Sequence, residues 1–188
     1  MQKLKLNELS RIKSILRKSL NKFVLDIFIL GSAVKDKLEP ADLDLIVLFS
    51  EKDSNRVGKV FFDIRERLGI DELHIEGIYS DDLFSENIFG SVLHEGISVK
   101  DNSEVSKLLG YCSKVMFNYA LRNLDKVEKV RFSQALYGRK KDGLLHIIKG
   151  ESLGNGSFLV SIKKEEIIKE FFKKWKVKYS RKRVFVSS

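Results

Sequence analysis

Leu4, Leu9, Ile12, Leu16 and Leu20 recur at helical spacing with Lys and Arg between them, which predicts an amphipathic first helix. Phe23 to Leu30 is an apolar run rich in β-formers that stops at Gly31-Ser32, the pattern of a buried strand. A short helix is expected from Ser32 towards Leu38, before Glu39-Pro40 breaks the pattern. Asp42 to Phe49 reads as a second strand. Ser54 to Leu68 carries Val57, Val60, Phe61, Ile64 and Leu68 as one stripe of a helix ended by Gly69. Glu72 to Tyr79 is a third strand, followed by an acidic helix start at Ser80-Asp81-Asp82. A helix through Phe89 and Leu93 then leads to a short strand, Ile97 to Lys100.

Further along, Glu104 to Asn123 and Asp125 to Tyr137 read as two helices joined by a tight turn. Gly138 to Gly143 is a basic loop bounded by glycines, and Leu144 to Ile148 one more helical turn. Gly150 to Gly156 reads as loop, Ser157 to Ile162 as strand, and Lys163 to Trp175 as a helix with Ile167, Ile168, Phe171 and Phe172 inward. Val177 to Val186 alternates well enough for an edge strand. These elements predict an α+β protein. Neither an internal repeat nor a low-complexity linker interrupts them.

Composition adds where the pattern is silent. With 188 residues, 43% hydrophobic and 32% charged, the chain can fill a core, and its apolar runs are too short to cross a bilayer. The single cysteine, Cys112, lies in the apolar stretch between Leu109 and Met116 and is expected as a buried structural thiol. One cysteine makes no internal disulfide, so a reducing cytoplasm is the expected compartment. Charge divides the chain. Through Asn102 there are 15 basic against 18 acidic residues, a net of −3, and from Ser103 onward 20 against 8, a net of +12. A boundary is therefore expected near Asn102, giving a region 1–102 that can hold cations and a region 103–188 that can hold polyanions.

Asp42 and Asp44 stand two apart on a predicted strand, so both carboxylates leave the same face, roughly 6–7 Å apart at their Cα atoms. Leu43 and Leu45 point the other way. Two acids held side by side repel unless a cation lies between them. Mg²⁺ takes carboxylate and phosphate oxygens together. Gly31-Ser32, between a strand and a helix, lets backbone N–H groups approach a phosphate, and Ser32 adds a hydroxyl donor. Each pair alone is common; order, spacing and flanking strands give them weight.

Gly31-Ser-Ala-Val-Lys-Asp-Lys-Leu-Glu-Pro-Ala-Asp42-Leu-Asp44-Leu resembles the signature of the DNA polymerase beta-type nucleotidyltransferase superfamily, closest to its small prokaryotic and archaeal members. The resemblance covers about residues 25 to 100. It implies a mixed β-sheet flanked by helices; the basic α+β extension beyond it is read from the residues alone. It also implies an NTP substrate, Mg²⁺ (or Mn²⁺) and transfer of a nucleoside monophosphate. A third acidic residue is implied on a later strand, and Glu76 is the candidate, with the role of metal ligand and base on the acceptor hydroxyl. His74 alternates with Glu76 and shares its face. Gly31, Ser32 and Lys35 are the candidate nucleotide contacts, with Lys37 on the same short helix. The pattern departs from the family in two ways: nine residues (33 to 41) separate Ser32 from Asp42, one fewer than usual, and Asp36 and Ala41 replace its common glycine and serine.

In the basic region, Arg139, Lys140 and Lys141 form a compact cationic loop suited to phosphate. The segment Lys173 to Arg183 interleaves cations with Trp175 and Tyr179, as suits a single-stranded nucleic acid whose bases stack. Trp175, Lys178, Arg181 and Arg183 are its candidate contacts, while Tyr111, Phe117 and Tyr119 are expected in helix packing. Three readings follow. The chain transfers a nucleoside monophosphate to a nucleic-acid end; or it modifies a protein hydroxyl, as antitoxin-like minimal members do; or it is an inactive transferase fold that binds nucleic acid.

Overall fold

The structure is a computed structural model that describes residues 2–30, 43–70, 72–139, 142–154 and 156–187, with the side chains of residues 2–8 excepted. It is an α+β protein that divides into two compact units, Met1–Leu109 and Gly110–Ser188. Residues 103–109, on the basic side of the expected boundary, belong to the first unit.

The first unit is built on a mixed five-stranded sheet in the order β3-β2-β1-β4-β5. Strands β1 (Val24–Leu30) and β2 (Leu43–Phe49) are antiparallel, whereas β3 (Leu73–Tyr79) runs parallel to β2. The two-residue strands β4 (Ile97–Ser98) and β5 (Ser103–Glu104) continue from the other side of β1. Strand alternation gives the sheet two apolar faces. Leu43, Leu45, Val47 and Phe49 lie with Leu16 of helix α1 (Gln2–Arg17) and Ile64 of helix α2 (Ser54–Leu68). Phe28, Leu30, Ile46 and Ile78 lie with Val92 of α3 (Ile88–Glu95) and Val105 of the short α4 (Val105–Leu108). The result is three layers, helix–sheet–helix.

Local chemistry fixes these elements. The Asp53 carboxylate caps α2 by accepting from the amides of Asn55 and Arg56, and Gly69 ends it in the left-handed region at φ 59°. Asn21 Oδ1 accepts from the amides of Phe23 and Val24, which sets where β1 begins. Within β1 the sequence hides a polar exception. Asp26 is buried and accepts from Ile27 N (2.7 Å), Ser98 Oγ (2.6 Å) and Lys100 N (3.1 Å), tying β1 to β4.

The second unit carries a four-stranded antiparallel sheet, β7-β8-β6-β9. Here the expectation for residues 104–123 is corrected: Tyr111–Ala120 is not helix but the ten-residue strand β6. Gly110, at φ 79°, stops α4 before it. Val115 and Phe117 point to one face and Lys114 and Met116 to the other, so Tyr111, Phe117 and Tyr119 are strand residues. Cys112 is a half-buried residue of this strand, not of a helix. Residues 151–154, expected as loop, form strand β7 (Glu151–Gly154), paired with β8 (Ser157–Ser161). Strand β9 (Lys178–Ser187) is an edge strand along β6.

Helices α5 (Lys126–Tyr137), α6 (Leu144–Ile147) and α7 (Glu165–Trp175) cover one face of that sheet. Phe132, Leu145 and Phe172 from the helices meet Phe117 and Phe158 from the strands, all buried. Asp125 and Glu128 close a capping box on α5, each side chain accepting from the other's amide. Among the described residues no helix is long and apolar enough to cross a membrane.

Candidate active site

Strand pairing brings two of the candidate carboxylates, Asp44 and Glu76, to one place. Asp44 is the first polar residue of β2 and pairs with Leu30, the last residue of β1, on one side and with His74 on the other. One step along β3, Glu76 pairs with Ile46. Because residues two apart on a strand share a face, Asp44 and Ile46 lie on the same side as their partners His74 and Glu76. That side is the one covered by α3.

A cavity of about 310 Å³ opens there, lined by Asp44, His74 and Glu76 from the sheet and by Ile88, Ser91 and Glu95 from α3. Leu30 also lines it, so the chain leaves β1 at the cavity and returns into β2 beside it. Among the described residues, neither the Asp44 nor the Glu76 carboxylate has a hydrogen-bond or ion-pair partner. Glu76 and His74 are exposed and Asp44 is half-buried. Aliphatic Leu30, Ile46 and Ile88 form the walls around these polar groups.

Asp42, Gly31, Ser32, Lys35 and Lys37 lie outside the described residues. The carboxylates of Asp44, Glu76 and Glu95 line this cavity, and carboxylate oxygen is the donor type that a hard divalent cation takes. Among the described residues no three acidic, His or Cys side chains converge tightly enough to hold a metal ion. Ser91 and Glu95 had no signal in the sequence, because only the packing of α3 across the sheet brings them to Asp44.

The candidate contacts in the basic unit separate into different environments. Trp175 packs edge-on against Phe132 with ring centres 5.6 Å apart, so its indole is part of the core. Arg181 is ion-paired with the buried Glu165 of α7, and Arg183 Nη2 lies 4.0 Å from the same carboxylate. Arg139 is exposed, with its amide donating to Asp142 Oδ1 and its guanidinium to Gln134 Oε1. Lys178 is exposed at the start of β9, and Lys140 and Lys141 lie outside the described residues.

Compared with protein-family models, with curated proteins and with solved structures, the chain matches none of them.

Proposed function

We propose that the first unit is a Mg²⁺-dependent nucleotidyltransferase that moves a nucleoside monophosphate from an NTP to the hydroxyl of a nucleic-acid end. The observation that carries this reading is the pair of carboxylates, Asp44 and Glu76, that have no partner among the described residues and stand on adjacent parallel strands of one cavity. It gains support from the signature residues, since the cavity lies where β1 ends before Gly31 and where β2 begins after Asp42.

In the proposed reaction an acceptor oxygen bonds to the α-phosphorus of the NTP, the bond from that phosphorus to the bridging oxygen breaks, and pyrophosphate leaves. Mg²⁺ bound by Asp42, Asp44 and Glu76 would neutralise the charge of the triphosphate. Glu76, the more exposed of the two described carboxylates, takes the proton of the acceptor hydroxyl. Gly31 and Ser32 bind phosphate, and Lys35 adds a cation. The aliphatic walls of the cavity lower the local dielectric and strengthen each of these contacts.

The test is direct. The protein is incubated with each labelled NTP, Mg²⁺ or Mn²⁺, and RNA, DNA or protein acceptors, beside an Asp42→Asn/Asp44→Asn variant. Label on nucleic acid that disappears in the variant is the expected result. Label on protein would replace the acceptor in this reading by a protein hydroxyl. No transfer under any condition, with equal nucleic-acid binding by both forms, would overturn the enzymatic reading.

A further inference from the structure

The cations of the second unit fall into two sets. Glu165, 3% exposed, takes up Arg181, Lys169 at 3.3 Å and Arg183 at 4.0 Å. That set neutralises a buried carboxylate and joins α7 to β9. Its members are already committed to the fold.

The other set runs from the end of α7 through the turn and along the edge strand β9. Lys173 and Lys174 end the helix, Lys176 caps it in the left-handed region at φ 52°, and Lys178 and Lys182 point from β9 to the face opposite Arg181. Arg122 joins them, because Ala120 pairs with Lys178 and Asn123 Nδ2 donates to the Lys176 carbonyl at 2.8 Å. All six side chains are on exposed residues, and among the described residues none has an ion-pair partner. The acids nearest in sequence form no ion pair with them among the described residues. Asp125 and Glu128 are locked in their capping box, and Glu170, a turn earlier on α7, makes no ion pair among the described residues. Such a concentration of unpaired charge costs self-repulsion, which a polyanion relieves.

The aromatic residues of the same segment are already engaged with other rings of the unit. Trp175 packs on Phe132 and Phe171, and Tyr179 stacks on Phe172 with ring centres 4.7 Å apart. The patch therefore offers mainly ammonium and guanidinium groups, since both rings already pack against other rings. This chemistry fits a phosphate backbone in solution. It does not fit the acyl boundary of a membrane, where buried apolar side chains are needed.

We propose that Arg122, Lys173, Lys174, Lys176, Lys178 and Lys182 form a binding surface for the phosphate backbone of a nucleic acid, read by charge and not by base stacking. It takes as its partner the nucleic-acid acceptor of the proposed reaction, and so rests on that reading for its role.

The experiment is a salt titration of the intact protein with a fluorescent mixed-sequence single-stranded oligonucleotide and no NTP. Three forms are compared: the parent, Lys174→Gln/Lys178→Gln/Lys182→Gln, and the equal-charge control Lys18→Gln/Lys22→Gln/Lys59→Gln in the first unit. The slope of log affinity against log salt should fall by about one for each patch lysine removed. The control should keep the parent's slope, and Trp175 emission should not change on binding. Equal losses in both variants, unaltered binding by the patch variant, or stronger binding of all forms to anionic phospholipid vesicles would overturn the proposal. A protein that transfers no nucleotide yet shows this binding pattern overturns the enzymatic reading and leaves the surface standing.

Discussion

In the first unit the carboxylates of Asp44 and Glu76 open into a cavity without a partner among the described residues, whereas in the second the Glu165 carboxylate is enclosed by Arg181, Lys169 and Arg183. The first unit also holds a counter-example, Asp26, whose buried carboxylate accepts three hydrogen bonds. An acid that the fold needs has its lone pairs filled by the fold. An acid kept for a ligand lines a space with its lone pairs unfilled. The same distinction sorts the cations, since Arg181 answers Glu165 while Lys178 and Lys182 pair with no acid among the described residues.

The largest effect that tests this contrast is on activity. Glu76→Gln removes the proposed proton acceptor without removing a polar contact among the described residues, so the proposed transfer should fall by about 10²–10⁴-fold with thermal stability unchanged. Asp26→Asn should do the reverse, lowering stability by about 1–3 kcal/mol because a donor replaces an acceptor among three donors. Its transfer rate per folded molecule should stay near the parent's. Calorimetry and single-turnover transfer on both variants check the pair. If Glu76→Gln unfolds the protein while Asp26→Asn does not, the assignment of roles is reversed.

The second effect is smaller and compares neighbours in sequence. Arg181→Met leaves Glu165 buried with only Lys169 and the more distant Arg183, and should cost about 2 kcal/mol. Lys182→Met, one residue on and on the opposite face, should change stability by no more than about 0.5 kcal/mol. Denaturant midpoints measured at two salt concentrations read both. Equal costs would mean that the alternation of β9 does not divide its cations as described.

This alternation shows what the sequence can and cannot reveal. Strands β1 and β2 were legible as apolar runs, and α2 as a stripe between Asp53 and Gly69, because these elements bury most of what they contain. Strand β6 was not. Leu108, Leu109, Cys112, Val115, Met116 and Tyr119 also fit helical spacing, and only the left-handed Gly110 stops a helix from running through them. Strand β7 was read as loop since Glu151–Gly154 is exposed throughout and has no apolar face to announce it. Of the candidate site, Asp44 and Glu76 could be named along the chain, whereas Ser91 and Glu95 could not. The sides of β9 were not, because they depend on pairing with β6 and on where α7 places Glu165. Asp26 left a visible signal, an acid in the middle of an apolar strand, that the pattern alone did not use.

The last comparison lies inside the second unit, between its buried charged group and a neutral one. Tyr119 is half-buried and its hydroxyl lies 3.0 Å from that of Tyr137. Burial first, and this hydrogen bond second, push its ionisation above the usual tyrosine range. An unfolded tyrosine loses its proton near pH 10. Above that pH the unfolded chain has released a proton that the folded chain keeps, so stability falls as pH rises until the folded hydroxyl also ionises. Tyr119→Phe should cost about 1 kcal/mol at neutral pH through the lost hydrogen bond. In return, its stability should fall less steeply than the parent's above about pH 10. Lysines titrate in the same range but are common to both proteins, so the difference between the two slopes belongs to Tyr119. Parallel slopes, measured by denaturant unfolding across that range, would show that this hydroxyl ionises as readily folded as unfolded.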